Sequence, residues 1–120
     1  MKLDLEVQGP NLVAHVSGDL DVMTAEAFRR QVDLALSRYR PRHLYVDMAG
    51  VTFVDSSGLG AILGRYKRVR QMGGRMVLKN PPAAIQPVLE LAGLFRLMEV
   101  VQEMDPARSG GGSTARRREE

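Results

Sequence analysis

The sequence predicts an α/β fold in which one mixed β-sheet is flanked by helices, and three observations carry that prediction. Two alternating apolar stretches at the start are separated by a turn, which reads as a β-hairpin. Amphipathic helical stripes then alternate with short β-prone runs, giving the order β-β-α-β-α-β-α-β. The length, 120 residues with 44% hydrophobic, suits one domain with one core. In such an order the hairpin supplies antiparallel pairing, and each strand-helix-strand unit supplies a right-handed parallel crossover.

Each element has a local reason. Leu3, Leu5 and Val7 alternate with polar residues, Gln8-Gly9-Pro10-Asn11 breaks the run, and Leu12, Ala14 and Val16 resume it, so both strands can bury one face. Ala25, Phe28, Val32, Ala35 and Leu36 recur at helical spacing behind Thr24, a good N-cap, and Arg40-Pro41 stops the pattern. The first helix is therefore expected over about residues 24 to 39. Leu44, Tyr45, Val46 and Met48 make a short strand. Leu59, Ile62, Leu63, Tyr66 and Val69 form a second helical stripe, expected from about Ser57 to Met72 and ended by Gly73-Gly74. Met76-Val77-Leu78 reads as a buried strand, and Leu97, Val100 and Val101 suggest a final one. Between them lies a third helix after Pro81-Pro82, with Gly93 as its C-cap. Pro87 would fall inside that helix at a cost of about 3 kcal/mol, so the helix starts late, near Ala84, or is kinked. The domain is expected over residues 1–104, with a disordered Gly, Ser and Arg tail over 105–120 that has almost nothing to bury.

Composition excludes much chemistry. Without cysteine there is no disulfide framework or thiol nucleophile, and two histidines, His15 and His43, offer little for a metal site. The apolar runs are far short of the roughly 20 residues that span a bilayer, and Met1-Lys2-Leu3-Asp4-Leu5-Glu6 lacks the apolar core of a signal peptide, which predicts a cytoplasmic protein without membrane contact. Of the net charge of +3, residues 107–120 contribute +2, leaving +1 for the body. With no Trp, three Phe and three Tyr as stacking platforms, the body is a poor nucleic-acid binder.

The stretch richest in chemistry is Val51-Thr52-Phe53-Val54-Asp55-Ser56-Ser57-Gly58-Leu59-Gly60, where an apolar run passes through an acid and two hydroxyls into an amphipathic helix. Its plainest role is a capping turn, with Asp55 or a serine accepting from free backbone N–H groups. Gly58-Leu59-Gly60-Ala61-Ile62-Leu63-Gly64 imitates a dinucleotide-binding turn, but the glycines run on through the helix body and Gly64 is followed by Arg65. A hydrolase would need Ser56 or Ser57 beside His15 or His43, yet the Gly-x-Ser-x-Gly elbow is absent and both histidines read as strand residues. Asp19 and Asp21 read as a polar loop entering the first helix, with a glycosidase pair a remote second. Arg65, Lys67, Arg68, Arg70 and Arg75 read as a solvated basic face.

Phe53 to Lys67, with its Asp-Ser-Ser-Gly-Leu-Gly run, resembles the STAS domains, and within them the bacterial anti-sigma factor antagonists; Gly18-Asp19-Leu20-Asp21, Gly73-Gly74 and Ala92-Gly93-Leu94-Phe95 add support. The resemblance covers residues 3 to 104. It implies a STAS-like mixed sheet and a protein that is not an enzyme and uses no cofactor. Such a protein binds an anti-sigma factor that is itself a serine kinase, and so frees a sigma factor. In the family the first serine is phosphorylated by that kinase and dephosphorylated by a PP2C-type phosphatase; the matching position is Ser56. Asp21 matches an aspartate at the partner-facing edge, and Asp55, Ser57, Gly58 and Leu59 would shape the docking surface, with Val22, Met23 and Thr24 opposite. Val22 and Met23 could equally be partly buried beneath the first helix. Alternatives are a STAS scaffold in a stress-signalling or lipid-transport complex without phosphorylation and, more remotely, a nucleotide-binding or hydrolytic domain. Two departures from the family stand out: Pro87, and a C-terminal helix that is short or missing after the last strand.

Overall fold

Gln8 and Asn11 are the last paired residues of the opening hairpin, and Gly9, at φ 60°, supplies the left-handed backbone its two-residue turn requires. The computed structural model describes residues 1–103. β1 (Lys2–Gln8) runs antiparallel to β2 (Asn11–Leu20). The chain continues through α1 (Ala25–Tyr39), β3 (His43–Val54), α2 (Ser56–Gln71), β4 (Arg75–Lys79), α3 (Gln86–Leu91), α4 (Leu94–Leu97) and β5 (Glu99–Val101). The five strands lie in the order β1-β2-β3-β4-β5, and every pair after the hairpin is parallel.

Because each crossover advances one strand in the same direction, right-handed connections put all the helices on one face. The core reflects this. Leu12, Leu44 and Met76 stand in one row across three strands, Ala14, Val46 and Leu78 in the next, and both rows join Phe28, Val32 and Leu36 of α1, Ile62 of α2, Leu89 and Leu94 in one cluster. The opposite face carries no helix among the described residues. There His15, Tyr45 and Asp47 are half-buried, while Val13 and Val77 are sealed by their long neighbours.

Several expectations change in detail. β1 forms as predicted but buries little: Leu5 and Val7 are exposed, because an edge strand has a neighbour on one side only. β2 and β3 are longer than predicted, so Gly18 and Asp19 belong to the sheet rather than to a loop. β3 carries two extra residues relative to β2, between Asp47 and Gly50 and between Val51 and Phe53. These bulges move its inward positions from Leu44, Val46 and Met48 to Val51 and Val54. The third helix starts late: a turn over Pro82–Ile85 precedes α3, so Pro87 sits in the first helical turn, where its missing N–H costs nothing. Gly93, at φ 80°, ends α3 and opens α4, an unpredicted turn that claims Leu97 from the expected last strand.

Arg65 is the clearest correction. It is 7% exposed, not part of a solvated face, and its Nε lies 2.9 Å from Asp33 Oδ1 between α1 and α2. The N–H is not aimed along that line, so the contact is an ion pair without a good hydrogen bond, and burial pushes the guanidinium below its ordinary pKa. The expected tail over 105–120, the domain boundary at 104 and the question of a C-terminal helix lie outside the described residues.

Candidate functional site

Two short segments meet at the carboxyl ends of β2 and β3: Leu20–Thr24, leading into α1, and Asp55–Leu59, opening α2. Asp55 joins them. It is the N-cap of α2, with Oδ1 accepting from Gly58 N at 3.0 Å and Oδ2 accepting from Val22 N at 3.1 Å. One carboxylate thus caps one helix and holds the loop before the other. Asp55 N also donates to Leu20 O at 3.3 Å.

Gly58 explains how close the segments come. A Cβ at this position would stand 2.1 Å from Leu20 O, so only glycine admits the carbonyl against the first turn of α2. Gly58 is buried and shapes the surface by letting Leu20 approach. Leu59 is half-buried and packs against the core.

The facing loop is a closed polar turn. Asp21 Oδ1 accepts from Met23 N at 3.0 Å, while Thr24 Oγ1 accepts from Asp21 N at 2.9 Å and donates to Asp19 O at 2.9 Å. Thr24 stands at the predicted N-cap but its hydroxyl serves this turn; the free N–H of Ala25 is taken by Asp21 O instead. With the turn closed, Val22 and Met23 project outward at 68% and 84% exposure, so of the two placements left open by the sequence the exposed one holds.

The structure brings Ser56, Ser57, Asp55 and Gly58 together with Asp21, Val22, Met23 and Thr24. α2 starts one residue earlier than predicted, so Ser56 is its first residue, exposed, and Ser57 its second, half-buried. Phe53 is not among the docking residues that the resemblance implies. It pairs with Asp19 and is 50% exposed beside this turn, and the signal for it is the broken alternation of β3. Thr52 Oγ1 donates to Asp19 Oδ1 at 2.6 Å along the same edge. Asp19, Asp21 and Asp55 gather here, and neither Asp19–Ala25 nor Thr52–Ala61 contains a lysine or arginine. The surface is therefore acidic, with apolar projections around exposed Ser56.

The histidines serve elsewhere. On the open sheet face His15 donates from Nδ1 to Asp47 Oδ2 at 2.9 Å and from Nε2 to Glu6 Oε1 at 3.0 Å. The bond to Asp47 is the main cause that raises its pKa to about 9, against the opposing effect of burial. Gln8 and His15 hold Glu6 below the usual carboxylate range. Burial pushes Asp47 up, but His15 and the Ala49 N–H outweigh it and leave the carboxyl low. His43 Nδ1 lies 3.0 Å from Asn11 Oδ1.

The STAS domain model matches residues 2–107. The chain belongs to the STAS domain family. It is 37% identical over 102 residues to an anti-sigma F factor antagonist of Paenibacillus polymyxa, covering 83% of this chain and 86% of that one. The fold matches the anti-sigma factor antagonist SpoIIAA in its unphosphorylated form, with a TM-score of 0.69, 23% identity, and 91% and 96% of the two chains covered. It matches the phosphorylated form of Bacillus SpoIIAA with a TM-score of 0.70, 24% identity, and 91% and 97% covered. These anti-sigma factor antagonists that the STAS chain resembles carry a regulatory name and not that of an enzyme. No helix among the described residues is long and apolar enough to cross a membrane.

Proposed function

We propose that this STAS protein is an anti-sigma factor antagonist switched by phosphorylation of Ser56. In its unmodified state it binds an anti-sigma factor that is a serine kinase and so releases a sigma factor. The kinase ends that binding by phosphorylating Ser56, and a PP2C-type phosphatase restores it. The observation that carries the reading is the exposed Ser56 hydroxyl at the start of α2, set beside exposed Val22, Met23 and Phe53 on an acidic surface. Asp21, Thr24, Asp55, Ser57, Gly58 and Leu59 give this docking surface its shape.

The physical basis is charge. A phosphoserine adds about −1.5 to −2 charges. Here it would stand next to Asp55, among acids and without a lysine or arginine in either segment. The N-terminus of α2 offsets part of that charge, so the fold survives while a closely docked partner meets repulsion and desolvation cost.

The test is mass spectrometry after incubation with ATP and candidate anti-sigma kinases of the same genome, comparing wild type with Ser56→Ala and Ser57→Ala. A single phosphate lost only in Ser56→Ala, with the phosphorylated form no longer binding its kinase, is the expected result. Absence of modification by every active kinase leaves a STAS scaffold whose serines only open a helix.

A further inference from the structure

A second feature lies at the other end of α2. From Ser56 to Arg70 the helix rises about 21 Å, which places Arg70 at the pole where β4 begins. There Tyr66 and Arg70 of α2, Arg75 and Met76 of β4, and Arg96 to Glu99 of α4 and β5 line a cleft of about 220 Å³. Its apolar surface comes from the half-buried Tyr66 ring and exposed Leu97, which lie over buried Met76 and Met98. Its rim is cationic. Arg75 Nη2 meets Glu99 Oε1 at 2.5 Å, whereas among the described residues Arg70 and Arg96 reach no carboxylate. The Arg70 guanidinium instead stands 5.9 Å from the centre of the Tyr66 ring.

The C-terminal end of a helix favours a cation, which accounts for Arg70 alone. It does not account for arginines from β4 and α4 converging on the same concavity with one carboxylate between the three. Guanidiniums that line one concavity can share an anion, and the planar donors of arginine suit phosphate and carboxylate oxygens. Apolar surface beneath polar groups at the rim is the layout of a small-molecule site, here below the usual size range and so suited only to a small ligand.

We propose that this cleft binds a small organic anion, a phosphate or carboxylate group carried on an apolar ring. The anionic group sits between Arg70 and Arg96, with Arg75 held in place by Glu99, and the ring lies against Tyr66 and Leu97. The site is separate from the Ser56 surface and does not depend on the function proposed for it.

Titration of the ¹⁵N-labelled full chain with phenyl phosphate, followed by amide chemical shifts, tests this. Saturable shifts confined to Arg70, Arg75, Met76 and Arg96 to Glu99 are expected. Arg70→Gln and Arg96→Gln should each weaken binding about tenfold, with unchanged melting temperatures because both side chains are exposed. Inorganic phosphate should bind at least fivefold more weakly. Equal affinity for inorganic phosphate, shifts spread over all surface arginines, or a response to poly-glutamate and not to phenyl phosphate would each overturn the proposal.

Discussion

The turn around Asp55 and the open face of the sheet are both polar and both half-exposed, yet they are held by different physics. At the turn, backbone atoms are in contact: Gly58 lies under Leu20 O, and Asp55 accepts from Gly58 N and Val22 N. On the open face, long side chains meet across strands: Glu6, His15 and Asp47 form a row over β1, β2 and β3, and Lys79 of β4 continues it to Glu103 at 2.8 Å. The first arrangement tolerates no extra atom and has no adjustable part. The second is graded, because charges on flexible stems in contact with water can rearrange or change protonation. A surface meant to present one hydroxyl in one place is built the first way, and a surface that needs only to stay wetted and paired can be built the second.

The largest effect should come from adding one methyl group to the turn. Gly58→Ala puts a Cβ 2.1 Å from a backbone oxygen that no side-chain rotation can move. A loss of about 3 kcal/mol is expected in urea unfolding followed by circular dichroism. A loss under about 1 kcal/mol would mean that the two segments separate easily. Asp55 comes next. Asp55→Ala removes an N-cap and the acceptor for Val22 N, and about 2 kcal/mol should be lost. Asp55→Asn divides the two roles: its single oxygen can cap Gly58 N, but its NH2 then faces Val22 N–H. Its expected loss is about half that of Asp55→Ala, and equal losses in the two variants would show that only one of the bonds matters.

The open face should respond to pH. His15 has a folded pKa of about 9 against 6.5 for the free side chain. A raised pKa gives stability that is complete below 6.5 and lost as pH rises through 9. The imidazole is 41% exposed, so solvent screening reduces the contribution to about 1 kcal/mol. Thermal melts between pH 6 and 10 should therefore show a decline that His15→Gln removes, while Asp55→Ala keeps it. A decline of the same size in His15→Gln would assign it to other groups.

Most of this comparison could be read in the sequence, and the parts that could not share a cause. The hairpin, the three amphipathic helices and the Asp-Ser-Ser-Gly turn follow from strong local patterns, and the late start of α3 follows from Pro87. What escaped depended on phase. In α2 the apolar stripe reads through Leu59, Ile62, Leu63, Tyr66 and Val69, but the buried residues are Gly58, Ala61, Ile62, Arg65 and Val69. Gly58 and Ala61 contribute little hydrophobicity, so the large leucines shifted the inferred face and put Arg65 in water. In β3 the bulges broke the alternation, hiding both the length of the strand and the exposure of Phe53. The bonds from Asp55 to Val22 and from His15 to Asp47 join residues 33 and 32 positions apart, which no local pattern encodes.

The smallest effect on the fold should coincide with a large one on binding. Met23 is 84% exposed and only its backbone N–H takes part in the Asp21 turn, so Met23→Ala should change stability by less than about 0.5 kcal/mol. A flexible apolar side chain held outward on a rigid loop is, however, the kind of group that a partner can enclose, and burying a methionine contributes about 1.5–3 kcal/mol. Under the proposed function, Met23→Ala should therefore weaken capture of the kinase by about tenfold, measured by titration calorimetry with the unphosphorylated protein. Alanine in place of exposed Val7, on the edge strand β1 away from this turn, should leave capture unchanged. If Met23→Ala leaves the affinity intact, the partner contacts Ser56 from the Phe53 side, and Phe53→Ala should then show the loss.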